Sequence, residues 1–543
     1  MTGVHTIPRM IRDDLAAALS SALGSLGLDV PADSIELERP ARREHGDWSS
    51  NVAMVNGKKN DRIPRELAGE IVAEIEKNLP AHVTAVEIAG PGFVNFRLAD
   101  TWLYDVLTAT VADGVDNFGR STTGAGAHVN VEFVSANPNK PLHAGHARGA
   151  VYGDSIARLF EAVGYHVTRE FYLNDRGVQM QLYADSLSAR KAGEEVPDGG
   201  YQGDYLVEWA AEMPDDADPL EWGYARALQS HRDTLGQLSV VHDVWFSERS
   251  LVADGRIEQT LDELRAGGHV FEQDDATWLR STDAGDDKDR VLIKSDGDFT
   301  YITPDIAYHR DKLSRSDLLV NVWGADHHGY IPRMKAAMSF LDDDPDKLEV
   351  IVTQLVDLLK DGEPFRQSGR LGDMVALDDV IDAVGPDAAR FTFLMQSMDT
   401  RQTIDLDELA ERNMDTPVFY VQMATARIHQ LVLKAAEAGH PRGELADADL
   451  ALLTNERETE ILRVLSGYAE IVEIAARERA PHKIITWLRE LAAAFHGFYH
   501  DCYVVGDGVS AELTQARLWL CEAARIGLTS GLHLVGVSAP QEM

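Results

Sequence analysis

A chain of 543 residues, 44% apolar and 26% charged, has the composition of an ordinary globular protein and room for roughly three or four domains. Its net charge of −38 excludes a surface that is basic throughout, so contact with nucleic acid would have to use local patches of Lys and Arg. No apolar run reaches the length of a bilayer span, and two cysteines, Cys502 and Cys521, are too few for a disulfide framework or a cysteine-rich zinc site, which points to the cytoplasm and to no membrane partner.

Residues 1–115 read as an α+β domain. "DDLAAALSSALGSLGL" opens on acids and is broken by Ser and Gly, so it predicts an amphipathic helix over about 8–28 and not a signal peptide. A short strand is expected near "SIELERP". "PRELAGEIVAEIEKNL" carries Leu67, Ile71, Val72 and Ile75 at helical spacing, with Pro64 near its start. "VTAVEIAGPGFVNFRL" alternates on both sides of Gly-Pro-Gly and predicts a hairpin. Helix "ADTWLYDVLTATVAD" closes the domain. Arg42 with Arg43, Lys58 with Lys59, and Arg62 with Arg65 form small basic clusters, which composition alone assigns to solvated faces.

"FGRSTTGAGA" reads as a linker into a second domain over 125–400. "HVNVEFVS" alternates Val129, Val131 and Phe133 and predicts a strand. "NPNKPLHAGH" follows, then a helix with Val151, Ile156, Leu159, Phe160 and Val163 on one face and Gly164 as its stop. "HVTREFYL" returns as a strand. This βαβ unit implies an α/β fold with a parallel sheet and a ligand at the strand C-termini. The acidic stretch 185–290 reads as an insertion, with later strands from "DLLVNVWG" and "LEVIVTQLVDLL". Residues 405–543 read as a C-terminal α-helical bundle.

The pair His143 and His146 admits several readings. A zinc site needs three or four ligands, and "DHH" at Asp326–His328 is a remote source for the rest. Two surface histidines are the bland option. The context favours a third: strand, proline-rich loop, His-x-Gly-His, helix. A helix N-terminus there offers unpaired N–H groups to an anion, and Gly145 permits close approach of a ligand.

"HAGH" resembles the HIGH signature of class I aminoacyl-tRNA synthetases, and "VEFVSANPNKPLHAGHARGAVYGDSIARLFEAVGYHVTREFYLND" is similar to the arginyl-tRNA synthetase family in particular. So are "GDFTYITPDIAYHRDKL", "NVWGADHHGYIPRMKAAM", "DAARFTFLM", "TPVFYVQMATARI" and "LHLVGVSAP". "EHGDWSSNVA" and "GPGFVNFRL" resemble the domain that precedes catalysis in that family. The resemblance covers nearly the whole chain. It implies a Rossmann-like catalytic domain, an N-terminal domain touching the tRNA elbow and a helical anticodon-binding domain. It also implies ATP with Mg²⁺, L-arginine and tRNA(Arg) as reactants, no structural zinc, and a monomer.

The resemblance places the ATP site in Ala136–His146, with Asn139, His143, Gly145 and His146, and at Val375. It places arginine beside Glu132, Asn137, Tyr301 and Asp305. Asp305 is the guanidinium partner on that reading; from the residues alone it is a helix N-terminal acid. The family's KMSK loop corresponds to "FRQSGRLGD", with Arg366 for the first lysine and Ser368 for the serine, but Gly369 where the second lysine belongs. Either Arg370 or Lys140, three residues before His143, supplies the missing charge, and related enzymes lacking that lysine carry one just before HIGH. Arg42, Lys58, Tyr420 and Gln422 are the expected tRNA contacts, with Phe419 assigned to the core. Other class I synthetases (glutamyl, glutaminyl, cysteinyl) and a silent tRNA-binding paralogue are the alternatives.

Overall fold

The computed structural model describes residues 7–40, 42–365 and 375–543. The N-terminal unit contains α1 (Ile7–Ser25), β1 (Trp48–Ser50), α2 (Val52–Lys59), α3 (Pro64–Ile75), β2 (Val83–Ala89), β3 (Phe93–Leu98) and α4 (Thr101–Asn117). The strands form an antiparallel sheet in the order β1-β3-β2. The strand expected at "SIELERP" is not formed. Ile35 and Leu37 are buried and alternate with exposed Glu36 and Glu38, but only Glu38 finds a ladder partner, Ser49. That segment lies along the sheet edge, and Pro40 follows at once. The strand is β1 instead, pinned by fully buried Trp48.

The glycine-rich stretch after α4 is fastened down. Ser121, Gly124 and Gly126 donate their amides to the carbonyls of Ala162, Val163 and Gly164. The second domain then runs through β4 (His128–Glu132), α5 (Ala147–Ala162), β5 (His166–Leu173), α6 (Val178–Ala192), α7 (Asp204–Glu212), α8 (Pro219–Gln237), β6 (Val244–Ser247), α9 (Glu248–Ala253) and α10 (Arg256–Ala266). A small antiparallel sheet, β7 (Val270–Gln273), β8 (Ala276–Leu279) and β9 (Arg290–Ile293), precedes α11 (Ile302–Ser314), β10 (Leu318–Gly324), α12 (Ile331–Ser339) and β11 (Leu348–Thr353).

The main sheet is parallel, in the order β11-β10-β4-β5-β6. The reading of 185–290 as one insertion is therefore amended, because β6 within it is the sheet's edge strand. From β4 the chain winds outward through β5 and β6, then crosses back to β10 and β11. The order reverses between β4 and β10, where a parallel sheet of this kind opens a crevice for its ligand.

α5 is covered on both sides. Its predicted apolar stripe is buried against the sheet, so close that a Cβ on Gly153 would stand 2.3 Å from the Phe133 ring. Its other face is polar yet also buried. Arg148 donates to the carbonyls of Ser397 and Thr400 at 2.7 Å, the Tyr152 hydroxyl donates to Arg479 at 2.8 Å, and Asp154 accepts from Arg390 at 2.6 Å. Those partners offset the several kcal/mol that burying bare polar groups costs.

A third small sheet comprises β12 (Val356–Lys360), β13 (Glu363–Pro364) and, after α13 (Leu377–Val384) and α14 (Pro386–Phe393), β14 (Gln402–Asp405). Beyond α15 (Leu406–Ala410) lies the helical bundle of α16 (Pro417–Glu437), α17 (Glu456–Ser466), α18 (Tyr468–Glu478), α19 (His482–Asp501) and α20 (Ala511–Leu534). α4 packs on α17 and α20, so the last helix of the N-terminal unit docks on this bundle. Among the described residues no helix is long and apolar enough to cross a membrane.

Candidate active site

The crevice has two walls. The first begins where β4 ends. Val134 and Ser135 both take positive φ, 73° and 43°, a costly turn for side chains that are not glycine. Ser135 holds it: its hydroxyl donates to Glu132 at 2.9 Å and accepts from the Tyr172 amide at 3.2 Å.

The chain then reaches His143. Nδ1 of His143 accepts from the Gly145 amide at 3.1 Å, and Nδ1 of His146 accepts from the His143 amide at 3.2 Å. With both Nδ1 atoms accepting, each neutral ring carries its hydrogen on Nε2. Burial, then the nearby Lys140 ammonium, pushes His143 down to about 4; burial and the neighbouring imidazole hold His146 well below its usual range. The rings lie 3.8 Å apart, centroid to centroid. Two neutral N–H donors thus sit side by side at the start of α5, suited to phosphate oxygens and not to relaying a proton near neutral pH. Among the described residues no three His, Cys, Asp or Glu side chains gather as a metal site. Gly145 has a nearer reason than ligand approach, because a Cβ there would stand 2.9 Å from the His143 ring.

Ala144 donates its amide to Val375, and Leu377 donates to Leu142, both at 2.9 Å, with His143 and Ala376 paired between them. Val375 therefore reaches the loop through its backbone. Lys140 is half-buried, and burial alone lowers its pKa; no described carboxylate pairs with it. Asn139 is 2% exposed, and its amide donates to the Tyr201 hydroxyl at 2.8 Å, which holds the loop. Arg366, Ser368, Gly369 and Arg370 lie outside the described residues, as do the side chains of Asp326–His328.

The second wall is acidic. Glu132, at the end of β4, is buried and accepts from the Lys312 ammonium at 2.5 Å. Lys312 is 0% exposed, donates also to Asn321 at 2.8 Å, and lies 4.5 Å above the Tyr308 ring. The Asn321 amide donates to Nε2 of His309, whose Nδ1–H donates to the Asp305 carbonyl, both at 2.8 Å. This chain of donors fixes His309 as neutral, consistent with the burial that depresses it. Asp305 accepts from the Tyr330 hydroxyl at 2.5 Å. Burial, aided by the charges of Glu132 and Glu248, pushes its carboxyl up to about 7. The hydroxyls of Tyr172 and Tyr308, near Glu248 and Glu170, are buried without a hydrogen bond of good geometry.

This arrangement bears on both readings of Asp305, which lies in the first turn of α11. The N-cap residue Tyr301 makes no side-chain cap, and the Asp305 carboxyl in the first turn of α11 accepts from Tyr330 beside the acidic cluster. A carboxyl beside Tyr330, Glu132 and Glu248 has the chemistry to receive a planar cation. Tyr301, one turn earlier, is 79% exposed and touches none of this; Asn137 donates its amide to Gln179 at 3.0 Å. Lys312, Tyr330 and Glu248 were not singled out from sequence. For Lys312 a signal exists: Asp305, Tyr308, His309 and Lys312 share one face of α11, a polar face that is nonetheless buried.

The expected tRNA contacts divide. Arg42 and Lys58 are exposed. Tyr420 is half-buried, edge-on to His496 at 4.6 Å. Gln422 is corrected: it is buried, and its amide donates to Asp387 at 2.8 Å and to the Ser538 carbonyl at 3.0 Å, tying α16 to α14 and the C-terminal tail. Phe419, assigned to the core, is half-buried and lines a cavity between those elements.

Three family models match the sequence: the arginyl-tRNA synthetase N-terminal domain over residues 9–98, the class I (R) tRNA synthetase catalytic domain over 110–198 and 228–434, and the DALR anticodon-binding domain over 421–543. The chain is 42% identical to the arginine–tRNA ligase of Bacillus licheniformis and 42% identical to that of Frankia alni, in each case over 99% of this chain and 100% of the relative. In fold it is similar to Thermus thermophilus arginyl-tRNA synthetase, with a TM-score of 0.76 and 22% identity over 98% of this chain and 100% of that one.

Proposed function

The chain belongs to the arginyl-tRNA synthetase family, and we propose that its two walls divide the work of an arginine–tRNA ligase, the acidic wall taking the guanidinium and the histidine wall the triphosphate. The enzyme activates L-arginine with ATP and transfers it to the 3′-end of tRNA(Arg). An arginine carboxylate oxygen attacks the α-phosphorus; the bond to the α–β bridging oxygen breaks, and pyrophosphate leaves with the electron pair. The terminal ribose hydroxyl of the tRNA then attacks the carbonyl carbon of the adenylate and gives up its proton, and AMP leaves. Both steps depend on placing reactants and on stabilising charge that develops on phosphate oxygens.

The observation that carries the reading is Asp305, a carboxyl of the acidic cluster that accepts from Tyr330 and has no ion pair among the described residues, where neighbouring Glu132 is already paired with Lys312. A guanidinium resolves that cluster by supplying the missing positive charge. On the other wall, the Nε2–H groups of His143 and His146 meet phosphate oxygens, and Lys140 provides the charge that Gly369 does not. Mg²⁺ arrives with the nucleotide, held by phosphate oxygens and water as is usual in ATP chemistry. Arg42 and Lys58 meet tRNA phosphates, and Tyr420 meets the anticodon loop. A cytoplasmic setting and a single-copy working unit belong to the same reading.

Charging of tRNA(Arg) assayed with each of the twenty amino acids tests the assignment; arginine alone is expected, and charging by another amino acid, or by none, overturns it. Lys140→Ala is expected to lose roughly 10²-fold in tRNA-dependent pyrophosphate exchange, about 2.7 kcal/mol of transition-state stabilisation. Wild-type exchange by that variant would remove Lys140 from the mechanism.

A further inference from the structure

The stretch that carries Lys140 has little structure of its own. Pro138 and Pro141 remove two amide donors, and the segment lies in neither helix nor strand. It is held from outside, by the helices between β5 and β6. His231 of α8 is fully buried and its Nε2–H donates to the Lys140 carbonyl at 2.8 Å; its Nδ1 has no partner. The Tyr205 hydroxyl of α7 donates to the Asn139 carbonyl at 3.2 Å, and the Tyr201 hydroxyl accepts from the Asn139 amide at 2.8 Å.

The same helices reach the other side of the ATP loop. Ala376, paired with His143, is buried in the apolar cluster of Tyr183, Leu187, Tyr205 and Trp209. Gln237, the last residue of α8, donates to Asp378 at 3.2 Å. One helical unit therefore packs on both strands of the bridge that joins the HAGH loop to the chain returning past Val375. Tyr201 and Tyr205 fall between the two stretches matched by the catalytic-domain model.

We infer that α6–α8 form a brace for the ATP loop, with His231, Tyr201 and Tyr205 as positioning residues that fix the backbone from which Lys140 extends. The inference rests on the role proposed for Lys140. Each of the three side chains bonds Asn139 or the Lys140 carbonyl and acts by placing a charge, and a misplacement of about 1 Å at a reacting centre is enough to cost up to 10²-fold.

The test is tRNA-dependent pyrophosphate exchange by the full-length chain with ATP varied, using His231→Phe and His231→Gln, each alone and combined with Lys140→Ala. Phe removes the donor, and Gln restores an N–H at a similar reach. The brace predicts that His231→Phe lowers kcat/KM for ATP roughly tenfold with KM for arginine unchanged, that His231→Gln recovers most of the loss, and that His231→Phe adds little to Lys140→Ala. An equal loss in both backgrounds would overturn it, since the histidine would then act on the fold at large. Lys140→Ala exchanging like wild type would overturn the charge given to Lys140; the brace would then be judged by the Phe and Gln variants alone, and unchanged kcat/KM for ATP in His231→Phe would sink it. Should His231→Phe fail to fold, Tyr201→Phe at a half-buried position removes one hydroxyl only. It is expected to raise KM for ATP about threefold, and no change in that constant would count against the brace.

Discussion

Lys140 stands in the loop after β4 and Asp305 in the first turn of α11, and their surroundings treat charge in opposite ways. Lys140 is a half-buried cation without a described acid, beside two histidines kept neutral by burial. Asp305 is a carboxyl among other carboxylates, its pKa pushed up to about 7 by burial. Glu132 shows what a settled buried charge looks like in the same place: it accepts from Lys312 and Ser135, and Asn321 in turn accepts from Lys312. Among the described residues neither Lys140 nor Asp305 has an ion pair, and on the proposed reading one serves an anion and the other a cation. An active site of this kind keeps its reactants' counter-charges unpaired and spends its other ionic groups on fixing geometry.

The largest effect that would break this contrast is Asp305→Asn. It should cost roughly 10³-fold in kcat/KM for arginine, about 4 kcal/mol, because the guanidinium loses its charged partner in a buried site. The same change should stabilise the free protein above pH 7. Folding raises the Asp305 pKa from 3.8 to about 7, so the folded state holds the extra proton and stability falls as pH rises across that window. An Asp305→Asn enzyme that charges arginine normally would end the assignment.

Lys312→Met comes next. It strands Glu132 without its counter-charge and should destabilise by about 3 kcal/mol, read as a lower urea midpoint, with Glu132→Gln in the double variant recovering most of it. An unchanged midpoint would mean the pair is not what settles Glu132.

How much of this was readable from sequence depends on where each partner lies in the chain. Hairpin β2–β3, α3 and the β4–α5–β5 crossover were legible because each carries its own periodicity. β6 was not: its four residues are all half-buried at a sheet edge, so no alternation marks them. The second face of α5 was missed because Arg148, Tyr152 and Asp154 look like solvated residues until the loop at 397–400, Arg479 and Arg390 are seen to cover them. In the site, the histidine motif is local and could be read. The Glu132–Lys312 pair joins residues 180 apart in sequence, and no local pattern announces it. Gln422 failed for the converse reason: helical spacing does not say that the C-terminal tail folds back over it.

A smaller effect sharpens the contrast by sign. Near pH 7, arginine binding should release part of a proton, since a guanidinium draws the Asp305 carboxyl down from about 7. ATP binding should take up part of a proton, since triphosphate raises His143 from about 4. Each is less than one proton, measured by calorimetry in buffers of different ionisation heat with tRNA present; release or uptake of the same sign for both ligands would contradict the division. Stability should follow the same opposition, because His143, depressed from 6.5 to about 4, contributes stability that is lost as pH falls through that range.

The central claim is that one wall reads arginine and the other reads ATP. Steady-state pyrophosphate exchange with saturating tRNA, run on Asp305→Asn and Lys140→Ala with each substrate varied in turn, tests it most directly. The division predicts a crossed result: Asp305→Asn raises KM for arginine and leaves KM for ATP near wild type, while Lys140→Ala impairs kcat/KM for ATP and leaves KM for arginine near wild type. Both variants altering the same substrate's constants would contradict it.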